Sequence, residues 1–252
     1  MRIGLVLAER QEAEMARLAE EHGLFGVLAG TANPRTAITA AAYASTATDF
    51  VRIAVLVELG LEHPVTIAEE LSILDNTNNG RTVVVAGAGS LSPSDAADEL
   101  AVIREALGNH FLQHEGPRWK APAGLPANVQ APKAIAVTPK PAQIEIPLWL
   151  TDSFAPGLPV LARELSHIDR QSQVQPATVA ITGSLEPDRD SVASWADAGA
   201  THLFLELPAD ADRASVMTMV SRYLAPEVGM PHFPRVMSNS RVPLPWPGDG
   251  HR

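Results

Sequence analysis

Cysteine is absent from the 252-residue sequence. That excludes disulfides, thiolate nucleophiles and thiolate metal sites. Aromatic residues are sparse at 5%, and 19 Lys and Arg are outnumbered by 29 Asp and Glu, for a net charge of −10. A surface of that sign repels phosphate backbones, so nucleic acid is not expected as a partner. No run approaches the roughly 18 apolar residues of a membrane span, so no membrane insertion is expected. HExxH, GxSxG and a full P-loop are all missing, and those chemistries have no support. What remains is a globular composition, 46% apolar and 19% charged. The opening "MRIGLVLAERQ" fits a first strand better than a signal peptide, and a cytoplasmic protein is expected.

The first hundred residues alternate between two patterns. Short apolar runs, "RIGLVL", "LFGVLA", "VRIAVLV" and "RTVVVAG", are separated by segments of helical period. In "EAEMARLAEEHG", Met15, Leu18 and Ala19 share one face, and Gly23 marks a stop. "NPRTAITAAAYASTAT" and "SPSDAADELAVIREALG" each open on a capping residue followed by proline, Asn33–Pro34 and Ser92–Pro93. "HPVTIAEELSILDNTNNGR" (63–81) predicts a helix from Pro64 and an asparagine-rich exit turn. Strands apolar on both faces belong to a parallel sheet covered by helices. Four such units suggest a (β/α)8 TIM-type barrel or a doubly wound sheet, and the length favours the barrel at ~250 residues.

The pattern then breaks. Residues 109–146 are proline-rich and aperiodic, and predict a long loop over one end of the barrel, with Phe111 and Trp119 as apolar contacts or as packing. "IPLWLT" resumes as a fifth strand, and "PGLPVLARELSHI" (156–168) predicts a helix. "ATVAIT" and "THLFLELP" add two strands, with helices at 188–200 and 211–226. That makes seven strands. The eighth is expected near 166–171, with one βα unit reduced or missing. A single barrel domain over 1–230 and a proline-rich tail over 231–252 complete the layout.

Candidate chemistry sits at strand ends. Glu58 directly follows "VRIAVLV", at the end where barrel enzymes place their sites, and Glu206 holds a similar place in "LFLELP". Each is a general base, a ligand anchor or a solvated charge. "GAGS" (87–90) lies between a strand and a helix. Its glycines serve a tight turn or let a flat ligand approach the backbone. "TDSFAPG" (151–157) has hydroxyls that hold a phosphate or cap a helix. His110 and His114 are four apart, as metal ligands on a helix would be, but no third ligand is placed to complete a site. They read as surface histidines at a frayed helix end, and no metal is expected.

Taken together, several segments resemble the bacterial-luciferase-like family of flavin- and deazaflavin-dependent oxidoreductases. "LAEEHGLFGVL" is similar to that family's first helix and second strand. "VRIAVLVELGLEHPVTIAEELSILDNTNNGR" is similar to its third strand, helix start and exit turn. "VVVAGAGS" and "PKPAQIEIPLWLTDS" resemble its fourth-strand end and fifth-strand approach. The resemblance implies a dimeric barrel that binds FMN or an 8-hydroxy-5-deazaflavin coenzyme at the C-terminal strand ends. It implies that Ala54, Val55 and Leu56 back the flavin ring, where relatives often carry a non-prolyl cis peptide. Gly87, Ala88, Gly89 and Ser90 would approach the ribityl side, and Thr151 and Ser153 the phosphate. Glu58 and His63 are the residues expected to give acid/base help on a small organic substrate. The loops after the first two strands are very short, and Ala88 stands where relatives often have arginine. An alternative is therefore a non-catalytic, weakly flavin-binding barrel, or a subunit working with an active paralogue or a flavin reductase. A third reading is a barrel enzyme of unrelated chemistry.

Overall fold

The computed structural model describes residues 2–8, 11–123, 133–151, 160–164, 178–182 and 200–206, with four single positions besides. Most of the predicted helices at 188–200 and 211–226, the tail and Ser153 lie outside this described set. Strands β1 (Arg2–Val6), β2 (Gly26–Ala29), β3 (Arg52–Glu58) and β4 (Thr82–Gly87) alternate with helices α1 (Glu12–Glu21), α2 (Ala37–Thr46), α3 (Pro64–Thr77) and α4 (Pro93–Leu107). A small hairpin follows, β5 (His114–Glu115) and β6 (Lys120–Ala121), then β7 (Leu148–Thr151), β8 (Val160–Glu164), β9 (Thr178–Thr182) and β10 (Ala200–Glu206). Eight strands close a barrel in the order β1-β10-β9-β8-β7-β4-β3-β2.

All seven expected strands are present and mutually parallel. The eighth corrects the sequence reading. It lies at Val160–Glu164, inside the segment expected to be a helix, and runs antiparallel to both β7 and β9. The segment "PVLARE" suits either state: its apolar residues are too few to separate period 2 from period 3.6. A strand that turns straight back needs no crossover helix. Where a βα unit is expected, β7 and β8 stand as an antiparallel pair.

The strands bury both faces, and the two faces go to different cores. Ile53, Val55 and Val57 of β3 join Ile3, Leu5, Leu71 and Ile103 in the layer between strands and helices. Ala54 and Leu56 join Val6, Phe25, Leu28, Val83, Val85, Trp149 and Phe204, a cluster with no helical member. This second cluster is the barrel interior, and strand alternation assigns it. Even-numbered β3 residues therefore point inward, and so do odd-numbered residues of β4 and β7.

Caps form as the sequence predicts. Asn33 Oδ1 accepts Arg35 N at 3.1 Å at the 3₁₀ turn Pro34–Thr36. His63 Nδ1 accepts Val65 N at 3.2 Å at the start of α3. Ser92 Oγ accepts Asp95 N at 3.2 Å at the start of α4. Helix α3 ends in a left-handed pair, Asn79 (φ 58°) and Gly80 (φ 77°), which turns the chain into β4.

The sequence reading puts the segment after α4 over one end of the barrel. Its described residues lie along the outer flank of α3 and α4. Leu112, Ala121 and Val137 are buried against Ala68, Val102 and Ala106. Lys140 Nζ donates to Ala106 O at 2.9 Å, and Asn76 Nδ2 donates to Lys140 O at 2.7 Å. The segment's described residues form a strap: 108–123 lead from the end of α4 through the hairpin, and 133–147 lead into β7. Trp119 packs on this flank, and Phe111 is exposed.

Candidate functional site at the barrel mouth

Strand register brings three of the expected site residues into one row. Glu58 pairs with Gly87, and Gly87 pairs with Thr151. All three point inward at the C-terminal ends of adjacent strands. Leu59 N donates to Gly87 O at 2.9 Å and extends the row by one bond. Across the barrel, Glu206 ends β10 opposite Val6, with the same inward parity as the buried Phe204. Beneath the row the described interior residues are apolar: Leu56, Val85 and Trp149, with Phe204 across the barrel.

Gly87 leaves space in that row. Among the described residues, a Cβ there would meet nothing nearer than Thr151 Cγ2, at 3.6 Å. Gly89 is different. Its φ is +57°, and a Cβ would lie 2.9 Å from both Cγ and Oε1 of Glu58. The turn is left-handed there, and Glu58 occupies the space a side chain would need. Ala88 is half-buried, and Gly89 and Ser90 are exposed at the rim.

The other expected residues divide. Leu56 faces the interior just beneath Glu58. Ala54 lies one layer lower and is fully buried. Val55 points the other way, into the strand–helix layer, so its side chain cannot back a ligand in the barrel. The peptide bonds at 54–56 are trans: the cis bonds among the described residues are Ala121–Pro122 and Thr138–Pro139. The expected non-prolyl cis peptide is not there. His63 stands at the far end of the Glu58 loop as the α3 cap. Its ring meets Trp119 edge-on, with centroids 4.6 Å apart. It is not in the row.

Two features escaped the sequence reading. The first is Glu99, a fully buried carboxylate on α4. It accepts Gly60 N at 2.7 Å and Trp119 Nε1 at 3.3 Å, and so fixes the loop that carries Glu58 and His63. Its signal was available: Glu99 lies on the apolar stripe of Ala96 and Ile103, where a charge requires a partner. The second is a groove of about 330 Å³ between α2 and α3, floored by residues such as Ile38, Ala42 and Ile67, with Arg35, Glu62 and Glu70 at its rim. Burial first, and then Glu62, push the Glu70 carboxyl above its usual range. His110 and His114 do not share a helix, which ends at Leu107. Among the described residues, no three His, Asp or Glu side chains are arranged to hold a metal ion. No helix among them is long and apolar enough to cross a membrane.

These features define a TIM-type barrel with one strand reversed and with glycines at the C-terminal end of β4 and in the turn after it. The sequence pattern of luciferase-like monooxygenases matches residues 7–163, and the chain belongs to that family. No curated protein matches the chain in sequence. Among solved structures, the monooxygenase RslO1 from Streptomyces bottropensis is similar, with 18% identity and a TM-score of 0.49 over 92% of this chain and 68% of that one. The coenzyme F420-dependent tetrahydromethanopterin reductase from Methanopyrus kandleri is 15% identical, with a TM-score of 0.46 over 59% of this chain and 49% of that one. The oxygenating constituent of 3,6-diketocamphane monooxygenase from Pseudomonas putida, solved with FMN, is 15% identical, with a TM-score of 0.44 over 92% and 64%. The chain thus spans about half to two thirds of the length of these structures.

Proposed function

We propose that this protein is a flavin- or deazaflavin-dependent oxidoreductase acting on a small organic substrate. Family membership supports the class. The observation that carries the placement is the Glu58–Gly87–Thr151 row, with its space at Gly87. A flat ring needs a wall with no side chain, and Gly87 offers bare backbone beside the Thr151 methyl group. FMN or an 8-hydroxy-5-deazaflavin coenzyme would lie against Gly87–Ser90, with Leu56 beneath and Thr151 at its side. Ser153 joins this proposal as a phosphate contact by resemblance. When bound, the cofactor supplies the redox chemistry. The chain's own residues orient it, exclude water through the apolar layer below, and place Glu58 to hold or take a proton. His63 offers its Nε2 at the same loop's far end as a second proton carrier. With FMN, a separate flavin reductase would supply reduced cofactor.

Titration of the purified protein with FMN and with the deazaflavin tests this. Saturable one-to-one binding of one of them is expected, monitored by cofactor fluorescence. Failure of both to bind at millimolar concentration removes the proposal.

The assembly we propose is a homodimer through α2 and α3. Helix α2, "AITAAAYAST", lies on the outside of the barrel yet carries no charge. Ile73 on α3 lines the groove and is 54% exposed, and Tyr43, 62% exposed, lies on the side of α2 that faces α1. A two-fold related copy would bring Arg35 to the acidic rim formed by Glu62 and Glu70, and Tyr43 to the groove.

A further inference from the structure

His114 is held from both sides. Its Nε2 is 2.9 Å from Asp98 Oδ1, and its Nδ1 is 3.4 Å from Glu105 Oε1, both on α4. A neutral imidazole has one N–H, so it donates to one carboxylate and turns a lone pair toward the other. Only the imidazolium satisfies both. Asp98 is committed elsewhere as well: its Oδ2 accepts Arg118 N at 3.0 Å and Trp119 N at 2.9 Å. Gly116 passes so close to Asp98 that any side chain would strike the carboxylate. The hairpin is thus seated on α4 through one buried carboxylate and one histidine.

The seat connects to the barrel mouth. Trp119, next in the hairpin, donates its indole N–H to Glu99, whose other oxygen accepts Gly60 N. Gly60 lies two residues after Glu58. Trp119 also meets His63, the cap that ends the same loop. Arg118 Nε lies 3.6 Å from Glu99. The remaining charged hairpin residues, Glu115 and Lys120, pair with each other at 3.2 Å.

We infer that the β5–β6 hairpin is a proton-controlled strap: His114 as imidazolium pins it to Asp98 and Glu105, and loss of that proton loosens the hairpin and, through Trp119 and Glu99, the loop that carries Glu58. Burial opposes the charged ring, but the hydrogen bonds and charges of Asp98 and Glu105 outweigh it and lift the His114 pKa above its usual value. Asp98 is also desolvated, yet the bonds from His114, Trp119 and Arg118 hold it below the usual carboxylate range. A raised histidine pKa gives stabilisation that is complete below the unfolded value and is lost as pH rises through the folded value. The strap therefore loosens toward alkaline pH.

The experiment is an NMR titration of the His114 ring in the full chain, with amide hydrogen exchange at Trp119 and Gly60 from pH 6 to 9, corrected for the intrinsic pH dependence of exchange. His114 is expected to titrate above about 6.5, and protection of both amides to fall at least fivefold across the same midpoint. Glu105→Gln, at a half-exposed site the fold tolerates, should lower the His114 midpoint and carry the protection step down with it. A His114 pKa at or below the ordinary value overturns the inference. So does a titration with no step in protection, or a step that stays in place when Glu105→Gln moves the pKa.

Discussion

Asp75 and Gln143, 68 residues apart, are joined by two hydrogen bonds: Asp75 Oδ2 accepts the Gln143 backbone N–H at 2.8 Å, and Asp75 Oδ1 accepts Gln143 Nε2 at 2.8 Å. Oδ1 also accepts Thr82 N at 3.3 Å, and Gln143 Nε2 also donates to Thr82 O at 2.8 Å. Both side chains are buried. The pair ties the end of the strap to the turn between α3 and β4, at the end of the barrel opposite the mouth. Beside it, Arg81 donates to Asn78 O, Thr48 Oγ1, Val51 O and Thr48 O at 2.7–3.0 Å. The "LDNTNNGR" stretch and the "PAQ" of the strap are therefore one lock.

Asp75→Asn should destabilise the protein by about 2–3 kcal/mol. An amide in that place keeps one acceptor and turns an N–H₂ toward a buried donor, and a lost hydrogen bond to a charged group costs about 1.5–3 kcal/mol. Urea denaturation followed by circular dichroism measures it. Cofactor affinity of the folded fraction should stay at the wild-type value, because the lock lies at the far end of the strands. A variant as stable as the wild type would show that the lock is not stabilising.

This lock also shows what the sequence could and could not disclose. The segment 63–81 was legible as helix, cap and exit turn, because caps and left-handed turns are written in local residue types. Its partner Gln143 was not, since nothing local marks a glutamine as bonded to an aspartate so far away. The seven parallel strands were legible from their doubly apolar runs. Strand β8 was not, because five residues carry too little period to tell strand from helix. At the mouth, Glu58, Gly87 and Thr151 were each visible as strand ends, while their alignment depends on register. Val55 was misplaced for the same reason: its neighbours face inward, and alternation sends it outward.

Gly87 and Gly89 should respond oppositely to alanine. Among the described residues Gly87→Ala meets nothing nearer than Thr151, at 3.6 Å, so stability should change by less than about 0.5 kcal/mol, as for substitutions away from tight features. Its methyl group enters the space assigned to the ring, and cofactor affinity should fall at least tenfold. Gly89→Ala places a side chain in a left-handed conformation against Glu58, and should cost about 1–2 kcal/mol in backbone strain alone. Paired thermal melts and fluorescence titrations separate the two. Unchanged cofactor binding by Gly87→Ala would remove Gly87 from the site.

Glu58→Gln preserves shape and removes the proton-accepting charge. Turnover should drop at least tenfold, while cofactor affinity changes less than threefold, since Gly87 and Thr151 remain. Steady-state assays with reduced cofactor across a panel of small carbonyl and aromatic substrates measure it. Turnover equal to that of the wild type would end the assignment of Glu58.

The α2–α3 face predicts an oligomeric state. Tyr43→Glu adds a charge to an exposed position on a helix that carries none. The protein should be a dimer by light scattering at micromolar concentration, and the variant a monomer with an unchanged circular dichroism spectrum. A wild-type monomer, or a dimer that tolerates the new charge, would place any assembly elsewhere.

At the floor of the barrel, His202 should govern stability in acid. Arg2 Nη1 lies 3.3 Å from His202 Nε2, and Thr201 Oγ1 lies 2.8 Å from its Nδ1. A guanidinium can only donate, so Nε2 accepts and the ring proton sits on Nδ1, which donates to Thr201 Oγ1. Protonating Nε2 would set an N–H against the Arg2 cation in a site packed between Phe25 and Trp149. Burial, and then the charge of Arg2, depress the His202 pKa to about 3. An unfolded histidine titrates near 6.5, so below that pH the unfolded chain takes up a proton that the folded one refuses, and stability falls as pH falls from about 6.5 toward 3. Between pH 7 and 4.5 the loss from this one group should be about 2–3 kcal/mol, at about 1.4 kcal/mol per pH unit. Urea unfolding at the two pH values reads the total, and His202→Gln, which keeps an acceptor for Arg2 but cannot titrate, should shrink the difference by that amount. An identical pH dependence in the variant would show that His202 does not stay neutral in the folded protein.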